Sequence, residues 1–111
     1  MTTKAKHKDK RFGIQEQIKV ATWNVRGIHH KVTELERELK ERGIDIAVIT
    51  ETKKKQRGSE DLSDYTMFYS GVEITERAQA GVAILVSTRL KKTITAYEWI
   101  NQRIMKIRSK I

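Results

Sequence analysis

The fold is decided by residues 18–50, IKVATWNVRGIHHKVTELERELKERGIDIAVIT. In residues 18–23, β-branched side chains alternate with other types, which predicts a β-strand. Residues 31–42 place apolar side chains on one stripe at helical spacing, which predicts an amphipathic helix. Residues 44–50 are nearly all apolar, as expected for a strand covered on both faces. Together they predict a βαβ unit, whose two strands are parallel and whose crossover is right-handed.

Beyond this unit, polar segments alternate with short apolar runs. Residues 51–64 are polar and contain a glycine, so they predict a loop with room for one helical turn. Four further strands are predicted, at residues 65–70, 82–86, 93–99 and 103–111. The fold class is therefore α/β, with a mixed sheet that contains one βαβ unit. Residues 1–15 show no apolar periodicity and predict a disordered basic arm that precedes a domain at residues 16–111.

Composition excludes several classes of protein. The chain has 111 residues, of which 38% are apolar, and this predicts one domain with a buried core. It has no cysteine, which excludes a disulfide scaffold and any cysteine-ligated zinc or iron–sulfur site. The longest apolar runs, residues 46–49 and 82–86, fall far short of the roughly 18 residues of a membrane span. The basic N-terminus has no apolar stretch behind it, so no secretory signal is predicted.

The formal net charge of +9 is carried by the two ends of the chain. Residues 1–11 contain five basic groups and one acid, and residues 89–111 contain seven and one, whereas residues 12–88 are nearly balanced. Basic ends indicate a polyanionic partner, with nucleic acid the foremost class. A solvated tail and a solvated strand face would explain the same charges.

Candidate site residues lie where the two parallel strands end. Both carboxyl ends of a parallel pair lie at one edge of the sheet, so Asn24 and Glu51 are expected to meet there, where ligand sites of open α/β sheets form. Amide and carboxylate oxygens suit Mg²⁺. The alternative is that Asn24 begins a turn and Glu51 is a solvated strand end. Nearby basic residues fit either contact with a phosphate backbone or solvated loops; they are Arg26, Lys53, Lys54, Lys55 and Arg57.

Two segments, VATWNVRG (20–27) and IDIAVITETK (44–53), resemble the endonuclease/exonuclease/phosphatase superfamily. There a strand ending in W-N or F-N precedes a helix, and a second strand ends in a Q-E or S-E-T pattern. The similarity continues through residues 65–70, AGVAILVS (80–87) and RIMKIRSKI (103–111). Within the superfamily, T-W-N-V-R and I-T-E-T-K are most similar to endonuclease domains of non-LTR retrotransposons and to craniofacial development protein 2-like proteins.

This resemblance implies a two-sheet α/β sandwich of the DNase I-like type, with a Mg²⁺-dependent phosphodiesterase site at its top and Mn²⁺ as an alternative ion. It implies that Asn24 positions the metal-site network or the attacking water, and that Glu51 is a direct metal ligand. Both are therefore candidate catalytic and metal-site residues. The implied activity is that of a DNA endonuclease, in an intracellular and nuclear setting.

The resemblance covers only the N-terminal half of the superfamily's domain. The Y-A-P motif and the D-x-N and D-H pairs that follow in the family have no counterpart here, and the chain contains no proline. We expect half of a sandwich from a truncated retroelement copy, a partial gene model or a split domain. Such a half is expected to expose its inner sheet face, to self-associate through an open sheet edge and to be inactive alone. The alternatives are a catalytically dead, basic nucleic-acid-binding relic of a retroelement, and a pseudogene product.

Overall fold

A computed structural model of the chain describes residues 17–110. The predicted arm at residues 1–15, and Ile111 at the end of the last predicted strand, lie outside these residues. Residues 17–110 form seven strands and two helices, and neither helix is long and apolar enough to cross a membrane. The elements are β1 (Val20–Asn24), α1 (Val32–Glu41), β2 (Ile46–Thr50), β3 (Arg57–Asp61), β4 (Tyr65–Ser70), β5 (Val82–Ser87), α2 (Thr88–Lys91), β6 (Ile94–Asn101) and β7 (Ile104–Ser109).

The main sheet has five strands in the order β1-β2-β5-β4-β3. β1 and β2 are parallel, and all other neighbours are antiparallel. The register of β1 and β2 pairs Val20 with Ile46 and Asn24 with Thr50, so these two strands end at the same level of the sheet. The predicted α/β class, the mixed sheet and the βαβ unit are therefore confirmed.

Helix α1 covers one face of this sheet. Leu35 and Leu39, which lie on the predicted apolar stripe, are each 2% exposed and belong to one core cluster with Ile49 and Leu85. Gly43 follows the helix with a φ of +66°, the left-handed conformation in which helices commonly end. This short connection returns the chain directly into β2.

The hairpin formed by β6 and β7 covers part of the opposite face. Met105 and Ile107 of β7 pack against a second core cluster that includes Phe68 and Val86. The expectation of a bare inner face is therefore wrong for the β4–β5 half, because the apolar side of the hairpin folds onto it. The β1 side stays more open, where Val20 is 61% exposed.

Two elements differ from the sequence prediction. Residues 51–64 are not a loop throughout, because β3 pairs with β4 at the edge of the sheet. Every residue of β3 except Gly58 is exposed, so β3 carries no apolar alternation that could reveal it. The single turn α2 was also not predicted; its buried Leu90 joins the second core cluster.

Candidate functional site

The predicted pair, Asn24 and Glu51, meets at the carboxyl edge of β1 and β2. The pairing of these strands continues past their ends, since the backbone N–H of Val25 donates to the carbonyl of Thr50 at 3.1 Å. Asn24 Nδ2 donates a hydrogen bond to Glu51 Oε2 at 2.6 Å, and both residues are exposed. The structure thus brings the two side chains together, while their chemical role stays a prediction.

The direction of this hydrogen bond constrains what each side chain can do. An ionised carboxylate only accepts, so the Asn24 amide must turn its NH₂ group toward Glu51. Asn24 therefore orients the carboxylate, and Oε1 of Glu51 has no hydrogen-bond partner in residues 17–110. The same stretch holds no cluster of three or more His, Asp or Glu side chains that could hold a metal ion. The groups at this edge that could coordinate a metal ion are one carboxylate, that of Glu51, and one amide, that of Asn24.

Short segments hydrogen-bonded side by side hold this pair in place; we call residues 25–28, 51–53, 80–81 and 101–103 the strand-end rim. Gly27 N donates to the carbonyl of Glu51 at 2.6 Å, and Lys53 N donates to that of Ala80 at 2.7 Å. Gly81 N in turn donates to the carbonyl of Gln102 at 2.9 Å. The main sheet and the hairpin turn are thereby joined into one rigid edge.

The rim contains an unusual concentration of left-handed backbone. Arg26, Glu51, Lys53 and Ala80 have φ values of 52°, 55°, 58° and 50°. Such conformations are uncommon for residues with a Cβ and persist only where the surroundings enforce them, often at functional sites. Here the lateral hydrogen bonds of the rim provide that enforcement.

Two of the predicted basic residues lie on the rim with exposed side chains. The side chains of Arg26 and Lys53 are exposed and make no hydrogen bond or ion pair within residues 17–110. The stem of Lys53 passes near Gly27, where a Cβ on the glycine would lie 3.8 Å from Lys53 Cδ. Both cations remain available to an anion that approaches Glu51.

The other predicted basic residues are placed differently. Lys54 Nζ lies 4.4 Å from the centre of the Tyr69 ring and 3.8 Å from Glu60 Oε1. Lys55 Nζ donates to the carbonyl of Ile74 at 3.2 Å. Arg57 begins β3 and is exposed. The predicted basic residues therefore do not act as one group, because the ammonium groups of Lys54 and Lys55 already contact other parts of the chain.

Gly81 and Arg103 could not be placed at the site from the sequence, and neither could the burial of Thr52 beside Glu51 be predicted. Thr52 is buried, and its Oγ1 accepts from the N–H of Lys54 at 3.2 Å. Gly81 has a φ of +92°, and a Cβ there would overlap Thr52 Oγ1. Arg103 follows Gln102 in the hairpin turn, so the Gly81–Gln102 hydrogen bond brings a further exposed cation to the rim. Only tertiary pairing joins these segments, and no local motif signals it.

A groove of about 600 Å³ lies between β1 and α1. It includes Trp23 and Asn24 but not Glu51, and apolar side chains such as Leu35 and Leu39 line its floor. Because it lacks the carboxylate and the open cations of the rim, it is not the candidate site.

Comparison with known proteins gives one match. The model of the Endonuclease/Exonuclease/phosphatase family matches residues 21–104, which is most of the chain. The match begins within β1 and reaches the first residue of β7, so it contains Asn24, Glu51 and the whole rim. No curated protein and no solved structure matches the chain.

Proposed function

Because the chain belongs to the endonuclease/exonuclease/phosphatase family, we propose that its rim forms part of a Mg²⁺-dependent phosphodiesterase site that acts on nucleic acid. The observation that carries this proposal is the 2.6 Å hydrogen bond from Asn24 to Glu51. It holds a carboxylate at the strand ends, where open α/β sheets bind ligands. The family match indicates phosphodiesterase-like or nuclease-like chemistry, and the proposal assigns that chemistry to this edge.

The donor set fits a hard cation, although weakly. Glu51 would hold Mg²⁺, or Mn²⁺ in its place, through its available oxygen, with Asn24 keeping the carboxylate oriented. When bound, the ion would supply Lewis-acid polarisation of a phosphate oxygen. A single carboxylate is a poor ligand set for Mg²⁺, which usually shares further carboxylates or substrate phosphates. We therefore expect this chain alone to bind Mg²⁺ more weakly than about 1 mM.

The open cations of the rim supply the contacts to substrate. Arg26 lies two residues after Asn24 and Lys53 lies two residues after Glu51, on segments that the Gly27–Glu51 hydrogen bond joins, and Arg103 lies at the hairpin end of the rim. Their charges would attract a phosphodiester backbone and offset its repulsion by Glu51. Their place on rigid, laterally bonded segments favours a fixed register of the phosphates over the carboxylate.

DNA is the substrate that we propose within nucleic acids, with an endonuclease of the non-LTR retrotransposon or craniofacial development protein 2-like type as the finer assignment. The sequences T-W-N-V-R at residues 22–26 and I-T-E-T-K at residues 49–53 support this finer assignment. An intracellular, nuclear location would follow from such a substrate.

The second candidate is a nucleic-acid-binding relic without catalysis. The single carboxylate at the rim within residues 17–110 favours it, because hydrolysis also needs a group that accepts a proton from the attacking water. We expect the 111-residue chain not to nick supercoiled plasmid in Mg²⁺ for this reason. Nicking that disappears in Glu51→Ala would contradict the relic.

Titration calorimetry with Mg²⁺ tests the metal assignment. We expect weak binding in the native sequence and still weaker binding in Glu51→Ala, because the only rim carboxylate is then lost. Glu41→Gln is the matched control, since it removes an exposed carboxylate from α1 and should leave binding unchanged. Tight binding that persists in Glu51→Ala would refute the assignment.

A further inference from the structure

The hairpin carries a row of cations that begins at Arg103, which it shares with the rim, and extends away from the rim. Met105 and Ile107 turn inward to the second core cluster, so the alternate positions of β7 must face outward. Two of these outward positions, Lys106 and Arg108, are basic, and Lys110 continues the same alternation just past the end of β7. With the cations at the two ends of the hairpin they form what we call the hairpin stripe: Lys92, Arg103, Lys106, Arg108 and Lys110.

The stripe is continuous and extended. Side chains two residues apart on a strand are about 7 Å apart, and residues 103–110 span about 24 Å. At the far end, Lys110 N donates to the carbonyl of Thr93 at 2.8 Å, which brings Lys92 beside Lys110. At the near end, the Gly81–Gln102 hydrogen bond joins Arg103 to the strand-end rim.

Acidic side chains neutralise little of the positive charge of the stripe. Glu98 is the one acid in residues 92–110, and its pair with Lys106, at 3.3 Å, is largely exposed and therefore weak. Lys106, Arg108 and Lys110 follow one another at about 7 Å along the strand, which is less than the screening length of about 8 Å at physiological salt, so their charges repel one another. A face that is exposed only to solvent could carry charges of both signs. When a polyanion binds, each of these cations is attracted to its phosphates, which offsets the repulsion among the cations.

The stripe also borders a concave surface. A shallow cavity of about 640 Å³ is lined by Tyr97, by the cations Lys106 and Arg108, and by Glu98, which pairs with Lys106. We propose that the hairpin stripe binds the phosphate backbone of nucleic acid, at phosphates remote from the one over Glu51. The spacing of its cations corresponds to about two nucleotides along one strand, which rises by about 3.4 Å for each. This binding does not depend on the catalytic proposal.

Salt dependence of binding tests the stripe directly. Fluorescence anisotropy of labelled single-stranded DNA and of the matching duplex would be measured between about 50 and 200 mM salt. Each lost phosphate contact lowers the slope of log affinity against log salt by about 0.9 for duplex and about 0.7 for single strands. In Arg108→Ala/Lys110→Ala we expect the slope to fall by about 1.8 or about 1.4, which identifies the form of nucleic acid bound.

Matched variants make the result decisive. Arg108→Lys/Lys110→Arg keeps both charges and should restore the native slope. Arg37→Ala removes an exposed cation from α1, on the other face of the sheet, and should change nothing. An unchanged slope in the double alanine variant, an equal fall in Arg37→Ala, or tighter binding to phosphatidylserine vesicles than to DNA would overturn the proposal.

Discussion

At the scale of single residues, the position of Glu51 depends on backbone geometry that a side chain ordinarily disfavours. Its φ of 55° turns the chain out of β2, and its carbonyl accepts the hydrogen bond from Gly27 at 2.6 Å. The neighbouring Gly81 fits against the buried Thr52 without room for a Cβ. The rim therefore depends on one close approach as much as on its hydrogen bonds.

This dependence predicts different costs for two glycine substitutions of similar φ. Gly81→Ala adds a clash with Thr52 to the left-handed strain, so we expect a loss of about 3 kcal/mol in unfolding free energy. Gly27→Ala makes only an ordinary van der Waals contact, 3.8 Å from Lys53 Cδ, at a φ of +102°, and should cost about 1 kcal/mol. Urea denaturation measures both. Equal losses would show that the approach of Gly81 to Thr52 can relax.

The meeting of Asn24 and Glu51 could be predicted from the sequence because parallel pairing places both strand ends at one edge. Their hydrogen bond could not be predicted, and neither could the left-handed backbone at Arg26, Lys53 and Ala80, since none is a glycine. These conformations are set by pairing between segments that are far apart in the chain. The intrinsic backbone preferences of these residues disfavour left-handed conformations, so no local sequence pattern could predict them.

At the scale of elements, Tyr65 ties β4 to the connection that precedes β2. Its hydroxyl donates to the carbonyl of Ile44 at 2.6 Å, and the residue is 3% exposed. Burial first, and then the nearby carboxylates of Asp45, Asp64 and Glu36, together raise the pKa of Tyr65 to about 12. The folded chain thus holds this proton at a pH where an unfolded tyrosine has lost it.

Tyr65→Phe should reveal this tie through pH. We expect it to cost about 1 kcal/mol near neutral pH, where the hydrogen bond is lost and no tyrosine is ionised. The raised pKa gives stability that is complete below about pH 10 and is lost as the pH rises toward 12. The native advantage over Tyr65→Phe should therefore shrink above pH 10 in urea denaturation. A constant difference from pH 8 to 12 would contradict this.

The elements that could be predicted are those that bury side chains. β2 and β5 read as apolar runs because the helix covers one face and core residues cover the other, and α1 shows its stripe for the same reason. β3 is held by backbone hydrogen bonds to β4 and by polar contacts of Glu60 and Asp61, and it buries no apolar side chain, so its sequence resembles that of a loop. The packing of the hairpin on the second face rests on contacts between distant segments, which periodicity within one strand does not encode.

At the scale of the whole molecule, the open edges of the sheets differ in character. Within residues 17–110, β1 pairs only with β2, and its sequence VATWN carries no charge. Val20 and Trp23 on this strand are 61% and 39% exposed. The edge of β7, by contrast, is flanked by the cations of the hairpin stripe, which discourage pairing with another chain. Self-association through the last strand is therefore less favoured than through β1.

We expect the chain to self-associate through the β1 edge as its concentration rises. Lysines introduced by Val20→Lys and Thr22→Lys should suppress this, because charged side chains blunt open sheet edges. Thr95→Lys adds the same charge to the exposed side of β6 and serves as the control. Sedimentation velocity over a concentration series measures the outcome. Equal suppression by the control would assign the effect to net charge.

The central claim is that Glu51, oriented by Asn24, is the metal-holding group of a phosphodiesterase edge. Paramagnetic Mn²⁺ added to the ¹⁵N-labelled chain tests it residue by residue in NMR spectra. The account predicts selective broadening of the Asn24 side-chain amide and the Glu51 and Thr52 backbone amides, lost in Glu51→Gln and stronger in Asn24→Asp. Broadening that is scattered over other carboxylates, or that survives Glu51→Gln, would contradict it.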